Sequence, residues 1–304
     1  MTFSEEIIEA KRSGVPIVAL ESTIITHGMP WPRNLETARA VEQAVRDAKA
    51  VPATIAVIKG NLHIGLDDDA LSALAQSKDV AKLSRADMAV TLAAAGTGAT
   101  TVAATMIAAR LAGIDVFATG GIGGVHRGAE HDFDISADLQ ELAQTAVTVV
   151  SAGAKAILDL PKTMEVLETN GVPVITLGQN MLPAFWSRHS ALPSPLRMES
   201  AAEIASAHLM RADLGLPGGQ LIANPIPQAD EIPQSVLNPI IEQALSEAKE
   251  AGVTGKAVTP FLLGRIVELT KGASLTSNIA LVLNNARLAA EIAHQICAQR
   301  KERG

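Results

Sequence analysis

Short apolar segments alternate along the chain with longer segments in which apolar residues recur every three or four positions. The first pattern is typical of buried strands and the second of amphipathic helices. A strand is predicted over 16–22, followed by a helix over 34–50 with Asn34 as its N-cap. Further strands are predicted over 114–121, 146–153, 172–178 and 218–227, and further helices over 67–77, 100–113, 136–145, 162–171, 200–215, 236–251, 258–270 and 275–300.

This order of elements predicts an α/β fold with three layers, α/β/α, around a mixed, mainly parallel central sheet. Segment 54–66 predicts a hairpin that turns about Lys59, Gly60 and Asn61. The Pro-rich segment 181–200 interrupts the rhythm, and we interpret it as a long ordered excursion or a subunit contact. No linker divides the chain, so we expect a single domain over 1–304.

Composition narrows the classes of function. The chain has 304 residues, is 48% hydrophobic and carries a formal net charge of -7. Binding to nucleic acid is not expected, because that function needs a clustered basic face. The one cysteine, Cys297, excludes an intrachain disulfide and a Cys-rich zinc site, and favours a reducing cytoplasm. The apolar stretches are shorter than the roughly 20 residues of a membrane-spanning helix, so no membrane partner is expected.

Polar side chains follow three of the predicted strands at the point where each strand ends. The sequences at these positions are LEST, which contains Glu21, then TGGIGGVHRG, which begins at Thr119, and SAGAK, which ends at Lys155. In open α/β sheets, ligands bind beyond the carboxyl ends of the strands. The pattern therefore predicts a site at this edge of the sheet.

The densest of these segments is the glycine-rich stretch after Thr119. Its glycines do not open directly into a helix, so the fingerprint of a dinucleotide site is not met. They leave backbone amides free to approach an anion or a flat ligand, although a plain surface loop is the alternative. Asp132, Asp134 and Asp138 follow closely and suit Mg²⁺ or Mn²⁺. Alternatively, Ser136 caps the next helix and Asp138 lies in its first turn.

Two further segments suggest chemistry. Lys155 lies beyond an apolar strand, where desolvation would favour the neutral amine that an imine-forming lysine requires, although a lysine reaching into water is the usual case. Thr100 and Thr101 open a helix whose first turn could receive a phosphate, with Lys82 and Arg85 upstream; an ordinary helix cap and surface charges are the alternatives. Asn278 lies in a long helix and could bind a ligand's amide edge, or could be an ordinary helix-surface residue.

Long contiguous motifs in this chain resemble the family of pseudouridine-5'-phosphate glycosidases, also called indigoidine-synthase-A-like proteins. The motifs are ALESTIITHGMPWPRNLETA, TGGIGGVHRGAEHDFDISADL, SAGAKAILDL, ANPIP, TPFLLGRIVELT and SNIALVLNNARLAAEIA. The resemblance extends from about Glu6 to Ile296. It departs from the family at Ala99, where a glycine is common, and at Trp186, where a tyrosine is common.

The resemblance implies reversible cleavage of the carbon-carbon glycosidic bond of pseudouridine 5'-phosphate to uracil and ribose 5-phosphate. It implies one Mn²⁺ per subunit and a homotrimer. By motif, Lys155 would form an imine with C1' of the sugar, Glu21 would donate a proton, and Asp134 would hold the metal, largely through waters. Lys82 and Val102 would contact substrate, Val102 through its backbone amide. Thr119, His126 and Asn278 would border the base. Ser136, Ala137 and Asp138 would line the substrate site.

Two other functions are compatible with these residues. One is an imine-forming lyase for another C-ribosyl phosphate, with a role in pigment synthesis. The other is a non-catalytic sensor of sugar phosphates, which would tolerate substitution of Glu21 and Lys155. The resemblance and the presence of both reactive groups favour the glycosidase.

Overall fold

The strands of the protein pair into one sheet in the computed structural model, which describes residues 1–303. The strands are β1 (Thr2–Phe3), β2 (Ile17–Leu20), β3 (Val51–Ile58), β4 (Asn61–Ile64), β5 (Ala81–Leu83), β6 (Gly98–Thr100), β7 (Val116–Ala118), β8 (Thr148–Ser151), β9 (Val174–Leu177), β10 (Leu196–Met198) and β11 (Gln220–Ala223).

The order across the sheet is β1-β4-β3-β2-β7-β8-β11-β9-β10, with β6 paired to β3 and β5 paired to β6. Pairing is parallel except between β3 and β4 and between β3 and β6, where it is antiparallel. The predicted mixed, mainly parallel sheet is therefore confirmed. The three strands β2, β7 and β8 are adjacent and parallel, so their carboxyl ends lie at one edge.

Helices cover both faces of this sheet and complete the predicted α/β/α layers. On one face, α13 packs against β2, β7 and β8 and against α3 and α10; on the other, α6 packs against β2, β7 and α8. The helices are α1 (Glu5–Ser13), α2 (Thr23–Thr26), α3 (Arg33–Asp47), α4 (Asp68–Gln76), α5 (Arg85–Ala93), α6 (Val102–Leu111), α7 (Ala129–Asp132), α8 (Ala137–Gln144), α9 (Leu160–Thr169), α10 (Ala201–Asp213), α11 (Gln234–Glu250), α12 (Val258–Leu269) and α13 (Ala273–Arg303).

Local sequence explains where several elements begin and end. The predicted hairpin is present: β3 and β4 are joined through Lys59 and Gly60, whose φ angles of 48° and 75° suit a tight turn between strands. The prediction of Asn34 as an N-cap is wrong, because α3 begins at Arg33. The buried Asn34 amide instead donates to the backbone oxygens of Ile25, at 2.7 Å, and Ala75, at 2.8 Å. Its side chain therefore joins α3 to α2 and α4.

The excursion over 181–200 is ordered and packs into the core. Phe185 and Trp186 are both 2% exposed, and their rings meet edge to face with centroids 4.9 Å apart. Its last part forms β10, which adds to β9 in parallel. The alternative interpretation, a subunit contact, stays a prediction.

The predicted single domain, 1–304, includes Gly304, which lies outside the described residues, and it stays a prediction. Within residues 1–303, no single helix is long and apolar enough to cross a membrane. Helices α12 and α13 meet the length and composition requirement only as a pair, which is bent by 118° between them.

Candidate active site

A cavity of about 380 Å³ opens at the carboxyl ends of β2, β7 and β8. Glu21 directly follows β2, Thr119 directly follows β7, and Lys155 lies a few residues beyond β8. All three side chains line this cavity. Residues far apart in the chain therefore meet because the sheet topology makes their strands neighbours, as the rule for open α/β sheets predicts.

The cavity wall contains every residue to which the family resemblance assigns a role in the site. It brings together three carboxylates and two amines with backbone and hydroxyl groups around them. The predicted residues that line it are Glu21, Lys82, Val102, Thr119, His126, Asp134, Ser136, Ala137, Asp138, Lys155 and Asn278. Their individual roles stay predictions.

Pairing between the loops after β7 and β8 positions Lys155. Ile122 and Ala154 form an isolated parallel bridge, so the pairing of the two strands resumes beyond their ends. The Ile122 amide donates to Gly153 O at 3.0 Å, and the Lys155 amide donates to Ile122 O at 3.1 Å. Within residues 1–303, the Lys155 Nζ has no hydrogen-bond or salt-bridge partner. The amine thus projects from a fixed backbone and is available to a ligand.

Two threonine hydroxyls hold the carboxyl group of Glu21. Thr23 Oγ1, from the first residue of α2, donates to Glu21 Oε2, and Thr119 Oγ1 donates to Glu21 Oε1. The other hydroxyls of this segment serve the fold. Ser22 Oγ donates to Ile55 O at 2.7 Å, and Thr26 Oγ1 lies 2.6 Å from Nδ1 of His27. Of Ser22, Thr23 and Thr26, only Thr23 lines the cavity.

The glycine-rich segment is part of the cavity wall, and the alternative of a plain surface loop is wrong for its first half. A Cβ atom on Gly121 would lie 2.5 Å from the Phe185 ring. A Cβ atom on Gly123 would lie 2.3 Å from Ser136 Oγ. Close packing requires glycine at both positions.

Asp138 joins the glycine-rich segment to the start of α6. Its carboxylate accepts from the amide of Gly123 at 2.8 Å and from the amide of Ala103 at 3.0 Å. The predicted cap is also present, since Ser136 Oγ accepts from the amide of Asp138 at 3.2 Å. The side chain of Asp138 is 6% exposed, so this brace fixes the wall on which α6 and α8 begin.

The start of α6 and the strand β5 form one end of the cavity. Thr101 caps α6, with its hydroxyl accepting from the amide of Ala104 at 3.4 Å, so the capping alternative is correct for Thr101. Lys82 lines the cavity here. Arg85 does not serve as a phosphate ligand beside it, because its guanidinium binds both oxygens of the buried Glu141, at 2.7 and 2.8 Å.

Two histidines in the wall are held in the neutral form. Burial lowers the pKa of His126, and Lys155 and Lys82 act in the same direction, whereas Asp134 and Asp132 oppose the shift. Burial, followed by the charge of Lys82, also lowers the pKa of His27. Because the usual histidine pKa lies near 6.5, both imidazoles are uncharged at pH 7. They contribute hydrogen-bonding groups to the cavity rather than positive charge.

The carboxylates near the cavity suit a metal ion that is held by one side chain and by water, and not one held by several side chains. Across residues 1–303, no group of three or more His, Cys, Asp or Glu side chains forms a metal site. Asp138 is occupied by backbone amides, and Asp132 accepts from the amide of Asp134 at 3.0 Å. The side chain of Asp134 is 37% exposed and faces the cavity. One carboxylate with water in the remaining positions is a common arrangement for Mg²⁺-like ions, so these residues fit a hydrated divalent ion at Asp134.

Sequence reasoning assigned no role to several residues of the wall. Phe185 reaches the cavity from the excursion, with a φ angle of 62° that is unusual for a residue other than glycine. Thr259 and Pro260 reach it from α12. The aromatic residue of LPAF, and the hydroxyl and the proline of TPFLLG, were visible in the sequence, but their proximity depends on tertiary packing.

Known proteins resemble the whole chain. The family model described as Indigoidine synthase A like protein matches residues 6–295. The chain belongs to this family.

Two relatives named pseudouridine-5'-phosphate glycosidase share this length. The relative from Jannaschia sp. (strain CCS1) is 70% identical over 97% of this chain and 98% of its own, and the relative from Roseobacter denitrificans is 67% identical over 99% and 97%. The crystal structure of the prealnumycin C-glycosynthase AlnA in complex with ribulose 5-phosphate superposes with a TM-score of 0.91 at 40% identity, covering 99% of this chain and 98% of that one. The fold and the resemblance inferred from sequence are thus confirmed.

Proposed function

We propose that the protein cleaves the carbon-carbon glycosidic bond of pseudouridine 5'-phosphate, reversibly, to uracil and ribose 5-phosphate. The observation that carries this proposal is that Glu21 and Lys155 line one cavity at the carboxyl ends of β2 and β8, the two strands that flank β7. The relatives of similar length that carry the name pseudouridine-5'-phosphate glycosidase support it. They also favour it over a lyase for a different C-ribosyl phosphate.

The chemistry requires an amine because carbon 5 of uracil is a poor leaving group for the usual carboxylate pair. The neutral Lys155 amine bonds to C1', the C1'–O4' bond breaks, and O4' takes the proton that the amine releases. The nitrogen lone pair then forms the imine as the C1'–C5 bond breaks, and protonated Glu21 gives its proton to C5. Water adds to the imine and Glu21 recovers a proton. The products are uracil, ribose 5-phosphate and free Lys155.

The two ends of the cavity suit the two ends of this substrate. Lys82 and the backbone at Val102 lie where α6 begins, and a helix start with a nearby ammonium group favours a phosphate. Ser136, Ala137 and Asp138 extend this wall.

The neutral His126 and the amide of Asn278 supply donors and acceptors suited to the polar edge of uracil, with Thr119 beside them.

Asp134 would hold a hydrated Mn²⁺ ion. Such an ion supplies positive charge that compensates the phosphate and orders water near it. The site then acts in a homotrimer in the cytoplasm, where its small-molecule substrate and products, rather than nucleic acid or membrane, are its partners. The formal net charge of -7 supports the exclusion of nucleic acid.

The test is reductive trapping. Borohydride added with ribose 5-phosphate should add the mass of the reduced sugar to Lys155, and Lys155→Ala should abolish both the adduct and uracil release from pseudouridine 5'-phosphate. Lys162→Ala is the matched control, because Lys162 is exposed and pairs with Glu130 and Asp159. An adduct on another lysine, or uracil release by Lys155→Ala, would contradict the imine mechanism. Faster turnover of another C-ribosyl phosphate would favour the alternative lyase.

A further inference from the structure

The two hydroxyls on Glu21 come from separate elements and contact separate oxygens. Thr23 begins α2 and Thr119 directly follows β7, so the carboxyl group is held from two different elements of the fold. A glutamate side chain has three rotatable bonds, and an unheld carboxyl group in a cavity of about 380 Å³ would sample several orientations. One hydrogen bond on each oxygen restricts both its position and the plane of the group.

The backbone that carries the Thr119 hydroxyl is itself fixed on both sides. The amide of Thr119 donates to Val150 O at 3.0 Å. Its carbonyl oxygen accepts from Asn285 Nδ2 at 2.8 Å, and Asn285 is fully buried in α13. Asn285 Oδ1 in turn accepts from Asn224 Nδ2 at 3.0 Å. The asparagines of the motifs ANPIP and LNNAR thus form a buried network that ends at Glu21.

The direction of this network is determined by its partners. The groups facing the Asn285 amide nitrogen are the carbonyl oxygens of Thr119 and Gly120, which only accept. Nδ2 must therefore point towards them, and Oδ1 towards Asn224. A fully buried amide is costly unless its groups are paired, so these contacts define a single arrangement.

We propose that Thr23 and Thr119 are positioning residues that hold the carboxyl group of Glu21 in the orientation from which it protonates the leaving carbon. This rests on the proposed function and changes the expected role of Thr119 from bordering the base to orienting the acid. Proton transfer depends on the alignment of donor and acceptor, and misplacement of a reacting group lowers the rate without weakening substrate binding. Thr23 and Thr119 contribute to the rate only through Glu21.

The variants Thr23→Val and Thr119→Val remove one hydroxyl each and keep the side-chain shape. Each should lower kcat for uracil release about 10- to 100-fold, because misplacing a reacting group by about 1 Å can cost about 100-fold in rate, with KM changed less than about threefold. Thr23→Ser and Thr119→Ser should restore most of kcat, because serine returns the hydroxyl. Thr97→Val is the matched control: the hydroxyl of Thr97 accepts from the Lys59 amide at 3.2 Å, and Thr97 does not line the cavity.

Reductive trapping separates orientation of the acid from damage to the site. Imine formation from ribose 5-phosphate needs the amine of Lys155 but no protonation of carbon, so both valine variants should still yield the adduct. A higher KM with unchanged kcat would assign Thr119 to base binding, and unchanged kinetics in Thr23→Val would also overturn the inference. Thr23 is only half-buried, so we expect Thr23→Val to fold, and its kinetics test the inference if Thr119→Val fails to fold. If the wild-type protein releases no uracil, the proposed function has failed instead.

Discussion

Asp115 lies at the edge of the sheet opposite to the cavity, so its contribution to the stability of the fold can be tested without changing the active site. Its carboxylate binds both terminal nitrogens of Arg300, with Oδ1 3.0 Å from one of them, and the same oxygen is 3.5 Å from His208 Nε2. Burial acts to raise the pKa of Asp115, but Arg300 and His208 outweigh it and hold the pKa at about 2. The folded state therefore binds the ionised carboxylate more favourably than the unfolded chain does.

The size and pH dependence of this effect follow from that pKa. Against an ordinary value of 3.8, the depression gives about 2.4 kcal/mol of stability at pH 7. Because the folded pKa is the lower one, the contribution is complete above pH 3.8 and is lost as the pH falls through 2. At pH 3 it should be roughly half as large.

Urea unfolding of the wild type and of Asp115→Asn, at one fixed protein concentration, measures this contribution. The variant should be less stable by about 2 kcal/mol at pH 7, and the difference should shrink below pH 4. Its kcat should equal that of the wild type, because Asp115 precedes β7 and the cavity lies beyond the other end of that strand. A difference that stays constant from pH 7 to pH 3, or that is absent at pH 7, would refute this reasoning.

Two more predictions concern the cavity wall. Gly123→Ala should cost about 1–3 kcal/mol of stability and most of the activity, because its Cβ atom would displace Ser136 and Asp138. The control is Gly264→Ala, which should be neutral or stabilising because a Cβ atom there meets nothing within 4 Å. Equal stability of the two variants in urea unfolding would argue against this packing explanation. Asp134→Asn should abolish Mn²⁺ binding by titration calorimetry and the activity that a chelator removes and Mn²⁺ restores. Activity indifferent to the chelator would contradict a metal role for Asp134.

Much of the site was predictable because strand ends are visible in sequence. The apolar runs before Glu21, Thr119 and Lys155 mark β2, β7 and β8, and the parallel arrangement of α/β folds places their ends together. The cap at Ser136 was also predictable from the sequence, because a serine directly before an acidic first helical turn is a local signal for an N-cap.

The errors arose where tertiary contacts override local signals. Strands β5 and β6 have three residues each, too few to show alternation, and they form because β6 pairs with β3 and β5 pairs with β6. Asn34 has the residue type of a cap, but its side-chain amide binds the backbone oxygens of Ile25 in α2 and Ala75 in α4. Arg85 resembled a phosphate ligand, and only the fold revealed Glu141 beside it.

The placement of β7 between β2 and β8 limits which parts of the substrate related enzymes can exchange during evolution. Two strand spacings, about 10 Å, separate the backbones that carry the acid and the amine, and main-chain hydrogen bonding sets this width. New side chains on the wall can thus alter which ring departs, while the span across the sugar stays constant. We expect related enzymes to diversify in the aglycone they accept far more readily than in the pentose.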